Sequence, residues 1–291
     1  MSQLPRNQDA VEPRKDPLLS DHPIDLDAYF ERIGYRGVTR PTLETLNGIV
    51  HRHVEAIPFE NLDILLGRPI DLGPAALQQK LIFDRRGGYC FEQNGLLLLV
   101  LEALGFHVWP LSARVRYQRP RDFVPPRTHV FVRVELEGTS WLADVGVGGF
   151  SLTSAIRLDS MEEQSTPHEP RRIVREGARL FHQVRLADEW HDLCEFTLEE
   201  MPLIDRELGN WFTSTHPQSH FKSRLVVARA VADGGRKTIL NRELTIRRRD
   251  GIETRTLGTP EELLSVLESD FGLAFAEGTT FSCPALDWPM P

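Results

Sequence analysis

The sequence predicts an α+β protein in which a helical N-terminal region precedes a β-rich middle and a smaller α+β C-terminal part. Up to residue 106 the apolar residues recur every three or four positions, as on one face of a helix. After Gly105 they alternate in steps of two, which is typical of half-buried strands. Near the C-terminus the helical spacing returns. With 291 residues, the chain is long enough to bury a large core.

Four helices are predicted before residue 106. Asp25 is expected to cap the first helix, and Pro41 is expected in the first turn of the second. The fourth helix is apolar nearly all round, which predicts that it is buried, and it should end at Gly105. The four segments are DLDAYFERIG (25–34), RPTLETLNGIVHRHVEAI (40–57), GPAALQQKLIF (73–83) and CFEQNGLLLLVLEALG (90–105).

Strands are predicted after Gly105. A final helix is expected within residues 258–273, with Thr259 as its N-cap, Pro260 as its first residue and Glu262 completing a capping box. The first three strand segments are HVWPLSARVRYQ (107–118), RTHVFVRVEL (127–136) and SWLADVGV (140–147), and further alternating segments lie around 180–200, 222–231 and 236–249.

Composition narrows the class of protein. A net charge of −8 argues against a nucleic-acid partner, because phosphate binding usually needs a basic surface. Three scattered cysteines are too few for a disulfide framework and fit a reducing compartment. The sequence shows no signal-peptide pattern and no apolar run long enough to span a bilayer. We therefore expect a soluble, cytoplasmic protein with a flexible polar tail at residues 1–22.

The stretch DRRGGYCFEQNG (84–95) places a cysteine between two glycines and the start of the predicted buried helix. Cys90 would lie at the first turn, where unpaired backbone N–H groups and the helix dipole favour a thiolate. Gly87 and Gly88 would let a substrate approach the backbone closely. This setting suits a nucleophile, although the pattern alone also allows Cys90 to be a small buried hydrophobic residue.

A thiolate that transfers acyl groups needs a base and an acid that orients the base, and His129 and Asp144 are the candidates. A hairpin turn at residues 138–139 would pair Glu137 with Ser140 and place both candidates on one face of the sheet. In that register they lie about four residues apart along the ladder, which is too far for a hydrogen bond. A bulge or a less regular turn would have to close the gap. A structural histidine and an aspartate that begins a turn remain the alternatives.

The other histidines give little support to a metal site. His51 and His53 are two residues apart in a helix and point to different faces. His216 and His220 have helical spacing, but Pro217 between them disfavours a helix.

Five segments, in their order and approximate spacing, resemble the arylamine N-acetyltransferase family. RRGGYCFEQN is similar to the family's cysteine signature, Arg-Gly-Gly-(Tyr/Trp)-Cys-Phe-Glu-x-Asn. The resemblance runs from about residue 24 to near the C-terminus. The other four segments are IPFENLDI (57–64), THVFVRV (128–134), LADVGVGG (142–149) and NWFTSTHPQSHF (210–221).

The resemblance implies a three-part α+β fold with a helical bundle, a central β-barrel and an α/β lid. Its Cys-His-Asp core would be similar to that of papain-like and transglutaminase-like enzymes. The implied divisions are a tail (1–22), a helical bundle that carries the cysteine (23–106), a β-barrel that carries the histidine and aspartate (107–210), and an interdomain segment with the lid (211–291).

The implied reaction is ping-pong acetyl transfer from acetyl-CoA to the nitrogen of arylamines, arylhydrazines or N-hydroxyarylamines. Cys90 would be the nucleophile that carries the acetyl group, His129 the base, and Asp144 the group that orients His129. No metal is implied, and a homo-oligomer is left open. The implied acceptor contacts are Phe59, Thr128 and Val147, and the implied coenzyme A contacts are Thr215, Ser219 and Phe221.

Some features leave choices open. Arg86 and Glu60 are expected to form an ion pair that braces the cysteine loop. Gln93 stands where the family more often has Leu, and Val147 where Phe is frequent. Three alternatives stand beside acetyl transfer: a macrolactam-forming amide synthase that uses a longer acyl thioester, a transglutaminase-like cysteine hydrolase, and a catalytically silent binding protein. The remaining cysteines are expected to serve packing or surface roles.

Overall fold

The structure is a computed structural model and describes residues 23–288, apart from the side chain of Asp233. The tail predicted at residues 1–22 lies outside the described residues. In the described part, no helix is both long and apolar enough to cross a bilayer. Helices pack on a strongly curved seven-stranded sheet, and a five-stranded sheet lies beside them.

The N-terminal region is helical, as predicted. Asp25 caps the first helix through a hydrogen bond that its carboxylate accepts from the Ala28 N–H. The prediction for the second helix was wrong at its start: Pro41 precedes the helix, and Thr42 caps it by accepting from the Thr45 N–H. The elements are α1 (Leu26–Ile33), α2 (Leu43–Ala56), α3 (Leu62–Leu65), α4 (Pro74–Gln78) with a π-helical continuation (Gln79–Phe83), and α5 (Cys90–Ala103).

Helix α5 is the central helix of this region. Its residues are buried from Cys90 through Leu101, which confirms the prediction from its apolar surface. It packs against the first two strands of the larger sheet. Gly105, with φ of +83°, lets the chain leave the helix in a left-handed conformation. The position of Cys90 is therefore set by the core.

The larger sheet is an almost closed barrel. Its strands are β2 (His107–Val115), β3 (His129–Leu136), β4 (Thr139–Ala143), β5 (Ile156–Arg157), β6 (Arg171–Glu176), β7 (Arg179–Leu186) and β8 (Glu189–Glu200). Their order in the sheet is β5-β4-β3-β2-β8-β7-β6, with antiparallel neighbours. The edge strands β5 and β6 contact each other, so the sheet curls round on itself. This confirms the expected α+β fold with a central barrel.

The β3–β4 hairpin differs from its predicted register by two residues. The turn is at Glu137-Gly138, where both residues have positive φ (51° and 75°), and Glu135 pairs with Ser140. Because the register shifts by an even number of residues, His129 and Asp144 remain on the same face of the sheet, as predicted. The shift brings Asp144 to within two positions of His129 along the ladder, instead of the predicted four.

The smaller sheet has the order β1-β9-β10-β11-β12. Its strands are β1 (Phe59–Glu60), β9 (Val226–Val231), β10 (Gly235–Leu240), β11 (Glu243–Arg248) and β12 (Gly251–Thr256). Since β1 comes from the N-terminal region, this sheet ties the segment before the cysteine loop to the C-terminal part. Helix α8 (Pro260–Phe271) packs on it. Thr259 caps α8 as predicted, but Glu262 accepts from the Gly258 N–H rather than from the cap residue.

Two further helices, α6 (Leu203–Thr215) and α7 (His220–Ser223), connect the sheets. The sequence did not predict α6. Three of its apolar residues, Ile204, Leu208 and Trp211, are more than half exposed, so their spacing does not mark a core-facing stripe. The implied division at 210/211 falls inside α6, and the three-part domain division stays a prediction.

Candidate active site

Cys90 is the first residue of α5, directly after the cap residue Tyr89. The Glu92 carboxylate accepts a hydrogen bond from the Tyr89 N–H at 3.0 Å and so fixes the start of the helix. Free N–H groups at a helix start favour an anion, and the Cys90 sulfur lies at that end. The side chain is nearly fully buried, at 3% exposure.

The two glycines before Cys90 are required by packing. A Cβ at Gly87 would lie 2.2 Å from the Pro58 carbonyl oxygen, and one at Gly88 would lie 2.7 Å from a Glu92 carboxylate oxygen. The Glu60 N–H donates to the Gly88 carbonyl at 3.0 Å, which joins the cysteine loop to β1. The close approach expected of a substrate is thus made by the protein's own backbone.

His129 and Asp144 form the pair that the sequence suggested. The imidazole Nε2 and the carboxylate Oδ2 are 2.8 Å apart, and both side chains are almost completely buried. His129 opens β3, and Asp144 directly follows β4, where the chain leaves the ladder. The two-residue register correction brings these strand ends together.

The charges of this pair stabilise each other. Burial alone would lower the pKa of His129, but the Asp144 carboxylate and the Cys90 side chain outweigh it and raise that pKa to about 10. Burial alone would raise the pKa of Asp144, but His129 and hydrogen bonds from Asn94 and Gly146 lower it below its ordinary value. The pair is therefore an imidazolium–carboxylate pair at neutral pH, and the Cys90 side chain is close enough to the imidazole to contribute to its raised pKa.

Asn94 is a site residue that the sequence analysis missed. Its side-chain amide donates to Asp144 Oδ1 at 3.0 Å and to the Val130 carbonyl at 2.7 Å, and its oxygen accepts from the Val145 N–H at 3.0 Å. It lies one helical turn after Cys90 and is completely buried. The available signal was the polar run Glu92 to Asn94 at the start of a helix predicted to be buried, since buried polar groups need partners.

The predicted acceptor contacts fall in different places. Phe59 lies in the apolar cluster that contains Cys90, and its ring centroid is 6.0 Å from that of Phe221. Thr128 contacts Cys90 through its carbonyl oxygen, which lies 3.5 Å from Sγ. Val147 is only partly buried and packs against the large core cluster instead.

The predicted coenzyme A contacts are also divided. The Phe221 ring lies 5.7 Å from the Tyr89 ring, close to the nucleophile. The Thr215 hydroxyl donates to the Trp211 carbonyl, and the Ser219 hydroxyl donates to the Thr213 carbonyl. These two hydroxyls serve the local helix structure.

The expected ion pair between Arg86 and Glu60 is confirmed, with 3.1 Å between Nη2 and Oε1. The guanidinium also reaches Asp63 at 3.1 Å, and Lys80 pairs with Asp63 at 2.7 Å and with Glu92 at 2.6 Å. This network of ion pairs ties Arg86, in the cysteine loop, and Glu92, in the first turn of α5, to Glu60, Asp63 and Lys80.

Gln93, the residue where Leu is more usual, takes part in a buried chain of hydrogen bonds. Its amide nitrogen donates to the Pro58 carbonyl at 2.7 Å, and its oxygen lies 2.6 Å from His53 Nε2. The other ring nitrogen of His53 is 2.9 Å from the Tyr29 hydroxyl. This chain of hydrogen bonds ends at the Pro58 carbonyl, next to the cysteine loop.

One further cysteine approaches the site. Ligand atoms of His129, Asp144 and Cys194 all lie within 4.8 Å of one another. Burial raises the pKa of Cys194 well above its ordinary value, so its sulfur is a protonated thiol. Metal ions bind the thiolate, and the other two groups bind each other, so this set suits a metal poorly. The absence of a metal stays a prediction.

Comparison with known proteins gives a consistent result. A family model described as N-acetyltransferase matches residues 42–279. The arylamine N-acetyltransferase of Mycolicibacterium smegmatis is 44% identical over 254 residues, covering 86% of this chain and 92% of the relative. That of Escherichia coli (strain K12) is 41% identical over 249 residues, covering 85% and 88%. The solved structure of the Mycobacterium marinum arylamine N-acetyltransferase in complex with CoA has a TM-score of 0.82 and 42% identity, covering 85% of this chain and 92% of that one.

Proposed function

The chain belongs to the arylamine N-acetyltransferase family, and on that basis we propose that it moves an acetyl group from acetyl-CoA to the nitrogen of an arylamine through a thioester on Cys90. The observation that carries this proposal is the buried sequence of contacts from Cys90 to His129 to Asp144, which supplies a nucleophile, a base and an orienting carboxylate. The other acyl-transfer chemistries weighed from the sequence are not favoured by the comparisons.

In the first half-reaction, His129 holds the proton that has left the Cys90 thiol, and the thiolate attacks the acetyl carbonyl carbon. A bond forms between this carbon and Sγ, and its bond to the coenzyme A sulfur breaks. His129 gives its proton to the departing thiolate. Asp144 stabilises the imidazolium while the proton is held there. One thioester replaces another, so the step is nearly isoenergetic.

In the second half-reaction, the arylamine nitrogen attacks the acetyl carbon. The C–N bond forms and the bond to Sγ breaks, so Cys90 leaves as a thiolate. The proton released by the nitrogen passes to His129, which restores the starting ion pair. Arylamines are weak bases and are largely neutral near pH 7, so placement matters more than activation.

A group of basic side chains supports a site for the phosphates of coenzyme A. Arg119 Nη2 lies 2.6 Å from His220 Nε2, and Lys222 and Arg224 follow in the same segment. Among residues 23–288, none of the three cations has a carboxylate within salt-bridge distance. Phe221 stands in the same segment and touches the ring of Tyr89. Cations without carboxylate partners, in a segment that contacts the residue before Cys90, suit a polyanionic donor.

The covalent step is tested by intact-mass spectrometry after brief incubation with acetyl-CoA. We expect a mass gain of one acetyl group in the native protein and in Cys283→Ser, and none in Cys90→Ala. Addition of the neutral arylamine 4-methoxyaniline should remove the adduct and yield the acetylated amine. An adduct that persists in Cys90→Ala, or no adduct at all, would contradict the proposal.

The phosphate site is tested by comparing two acetyl donors. Arg119→Gln and Arg224→Gln should raise KM for acetyl-CoA while leaving kcat/KM for S-acetyl-N-acetylcysteamine, which lacks phosphates, almost unchanged. Arg248→Gln, at the far sheet, serves as the charge-matched control. An equal loss with both donors would show that the arginines act on the fold or the chemistry instead.

A further inference from the structure

A cleft of about 300 Å³ opens next to the nucleophile, between the barrel and α6. Its apolar surface is formed by Met201, Leu208 and Phe212. Gly209 also lines it, and a Cβ there would lie 2.6 Å from the Phe91 ring, so the helix backbone comes close to the residue that follows Cys90. This part of α6 therefore borders both the cleft and the apolar cluster that contains Cys90.

One residue of the cleft wall lies against the Cys90 sulfur. Thr128 lines the cleft, and its carbonyl oxygen is 3.5 Å from Cys90 Sγ. Met201 belongs to both the cleft wall and the apolar cluster around Cys90. A flat ring held against this apolar wall would have its amino group near the thioester.

The rim of the cleft is acidic. Three carboxylates line it, from Glu199, Glu200 and Asp205, against a single cation, Arg127. Arg127 pairs with Glu199 at 3.2 Å. In the part of the chain that the structure describes, Glu200 and Asp205 have no basic side chain within salt-bridge distance. The cleft therefore carries an excess of two negative charges.

The basic cluster at Arg119, Lys222 and Arg224 and the acidic cleft have opposite charges. The phosphates of coenzyme A suit the first and would be repelled by the second. In a ping-pong reaction coenzyme A leaves before the acceptor binds, so the acceptor is free to use a surface of different charge, and the cleft offers an apolar wall with an anionic rim. Resting on the function proposed above, we propose that the acceptor binds in this cleft and that the enzyme favours arylamines carrying a cationic substituent over those carrying a carboxylate.

The test uses two acceptors of nearly the same shape and opposite charge. 4-(Aminomethyl)aniline carries a protonated aliphatic amine at neutral pH, and 4-aminophenylacetate carries a carboxylate; 4-aminobenzyl alcohol is the neutral reference. We expect kcat/KM for the cation to exceed that for the anion by about tenfold at low ionic strength, with the ratio falling as salt screens the exposed carboxylates. Acetylation should occur on the ring nitrogen.

Substitutions in the acidic rim test whether its carboxylates cause the preference for the cationic acceptor. Glu200→Gln combined with Asp205→Asn should bring the ratio to within about threefold of one, because both unpaired charges are gone. Arg127→Gln should increase the ratio, since it leaves Glu199 unpaired. Glu243→Gln combined with Glu253→Gln, on the outer strands of the smaller sheet, removes the same charge elsewhere and should leave the ratio unchanged.

Two results would overturn the inference: equal turnover of both acceptors by the native protein, or a preference that survives in the Glu200→Gln/Asp205→Asn variant. Formation of acetyl-Cys90 is measured in parallel by mass spectrometry. If this adduct forms normally, a missing charge preference counts against the acceptor inference alone. If no adduct forms, the proposed function itself fails.

Discussion

His129 and His53 are both completely or almost completely buried, yet the structure holds them in opposite protonation states. His129 faces a carboxylate, and its pKa is raised to about 10. Burial lowers the pKa of His53 to about 4, because its neighbours are the neutral Tyr29 hydroxyl and the Gln93 amide. The partner of a buried histidine, rather than its burial, decides whether it is charged.

The two histidines support the same loop from different sides. In the proposed reaction His129 acts on the sulfur of Cys90, whereas His53 contacts Gln93, which donates to the Pro58 carbonyl, and this carbonyl also accepts from the Gly88 N–H. A charged group beside the sulfur can take part in proton transfer. A neutral chain behind the loop can only hold the backbone in place. The comparison therefore separates chemistry from positioning, and the following experiments test this separation.

The largest effect is expected from Asp144→Asn, which removes the charge that keeps His129 protonated. The rate of Cys90 acetylation should fall by about 10³–10⁴-fold, the order found when an orienting aspartate is neutralised in a comparable triad. Rapid-quench mass spectrometry measures this rate. Asp159→Asn, a surface change, is the control, and an Asp144→Asn enzyme that keeps a tenth of the native rate would contradict the account.

The next effect concerns stability and the neutral chain. Gln93→Leu leaves the His53 Nε2–H without an acceptor and removes the shorter of the two hydrogen bonds to the Pro58 carbonyl, so it should lower the free energy of unfolding by about 2 kcal/mol. His53→Leu should lower the free energy of unfolding by a similar amount. The double variant should cost clearly less than the sum, because removing both partners leaves fewer unpaired polar groups. Urea unfolding of the four proteins measures the cycle, and simple additivity would show that the two residues are not coupled.

A pH effect follows from the lowered pKa of His53. Below the ordinary histidine value, the unfolded chain takes up a proton that the folded protein refuses until about pH 4, so stability should fall as the pH drops through this window. His53→Gln should remove about 3 kcal/mol of this loss. Burial also lowers the pKa of His182, to about 3. This second histidine causes a similar loss of stability at low pH in the native protein and in the variant, so the difference between them reports on His53. Identical pH–stability curves for native and variant would contradict the assignment.

The smallest effect is expected from Tyr29→Phe, which removes the hydroxyl at the far end of the chain. His53 Nδ1 loses one neutral hydrogen bond, so the free energy of unfolding should fall by about 1 kcal/mol. The rate of acetylation should be unchanged, because the cysteine loop keeps its contacts with Gln93. A clear loss of activity would show that the chain does more than hold the backbone.

The sequence predicted much of the site and less of its geometry. The position of Cys90 at a buried helix start followed from local patterns. The His129–Asp144 contact did not. The residues Glu137-Gly138-Thr139 allow a turn at 137–138 or at 138–139, and the two resulting strand registers differ by two residues. Only the three-dimensional packing selects one of them. Asn94 and the His53–Gln93 contact join residues 36 to 50 positions away from their partners, and no local signal fixes such distances.

The most direct test of the account is the protonation state of the two histidines, read from ¹⁵N NMR shifts of the imidazole nitrogens near neutral pH. His129→Gln and His53→Gln provide the assignments. We expect His129 to carry protons on both ring nitrogens, and His53 to be neutral with its proton on Nε2, since Gln93 directs its oxygen toward that atom. A neutral His129 in the resting enzyme would contradict the proposed ion pair with Asp144, and with it the means by which Cys90 becomes a nucleophile.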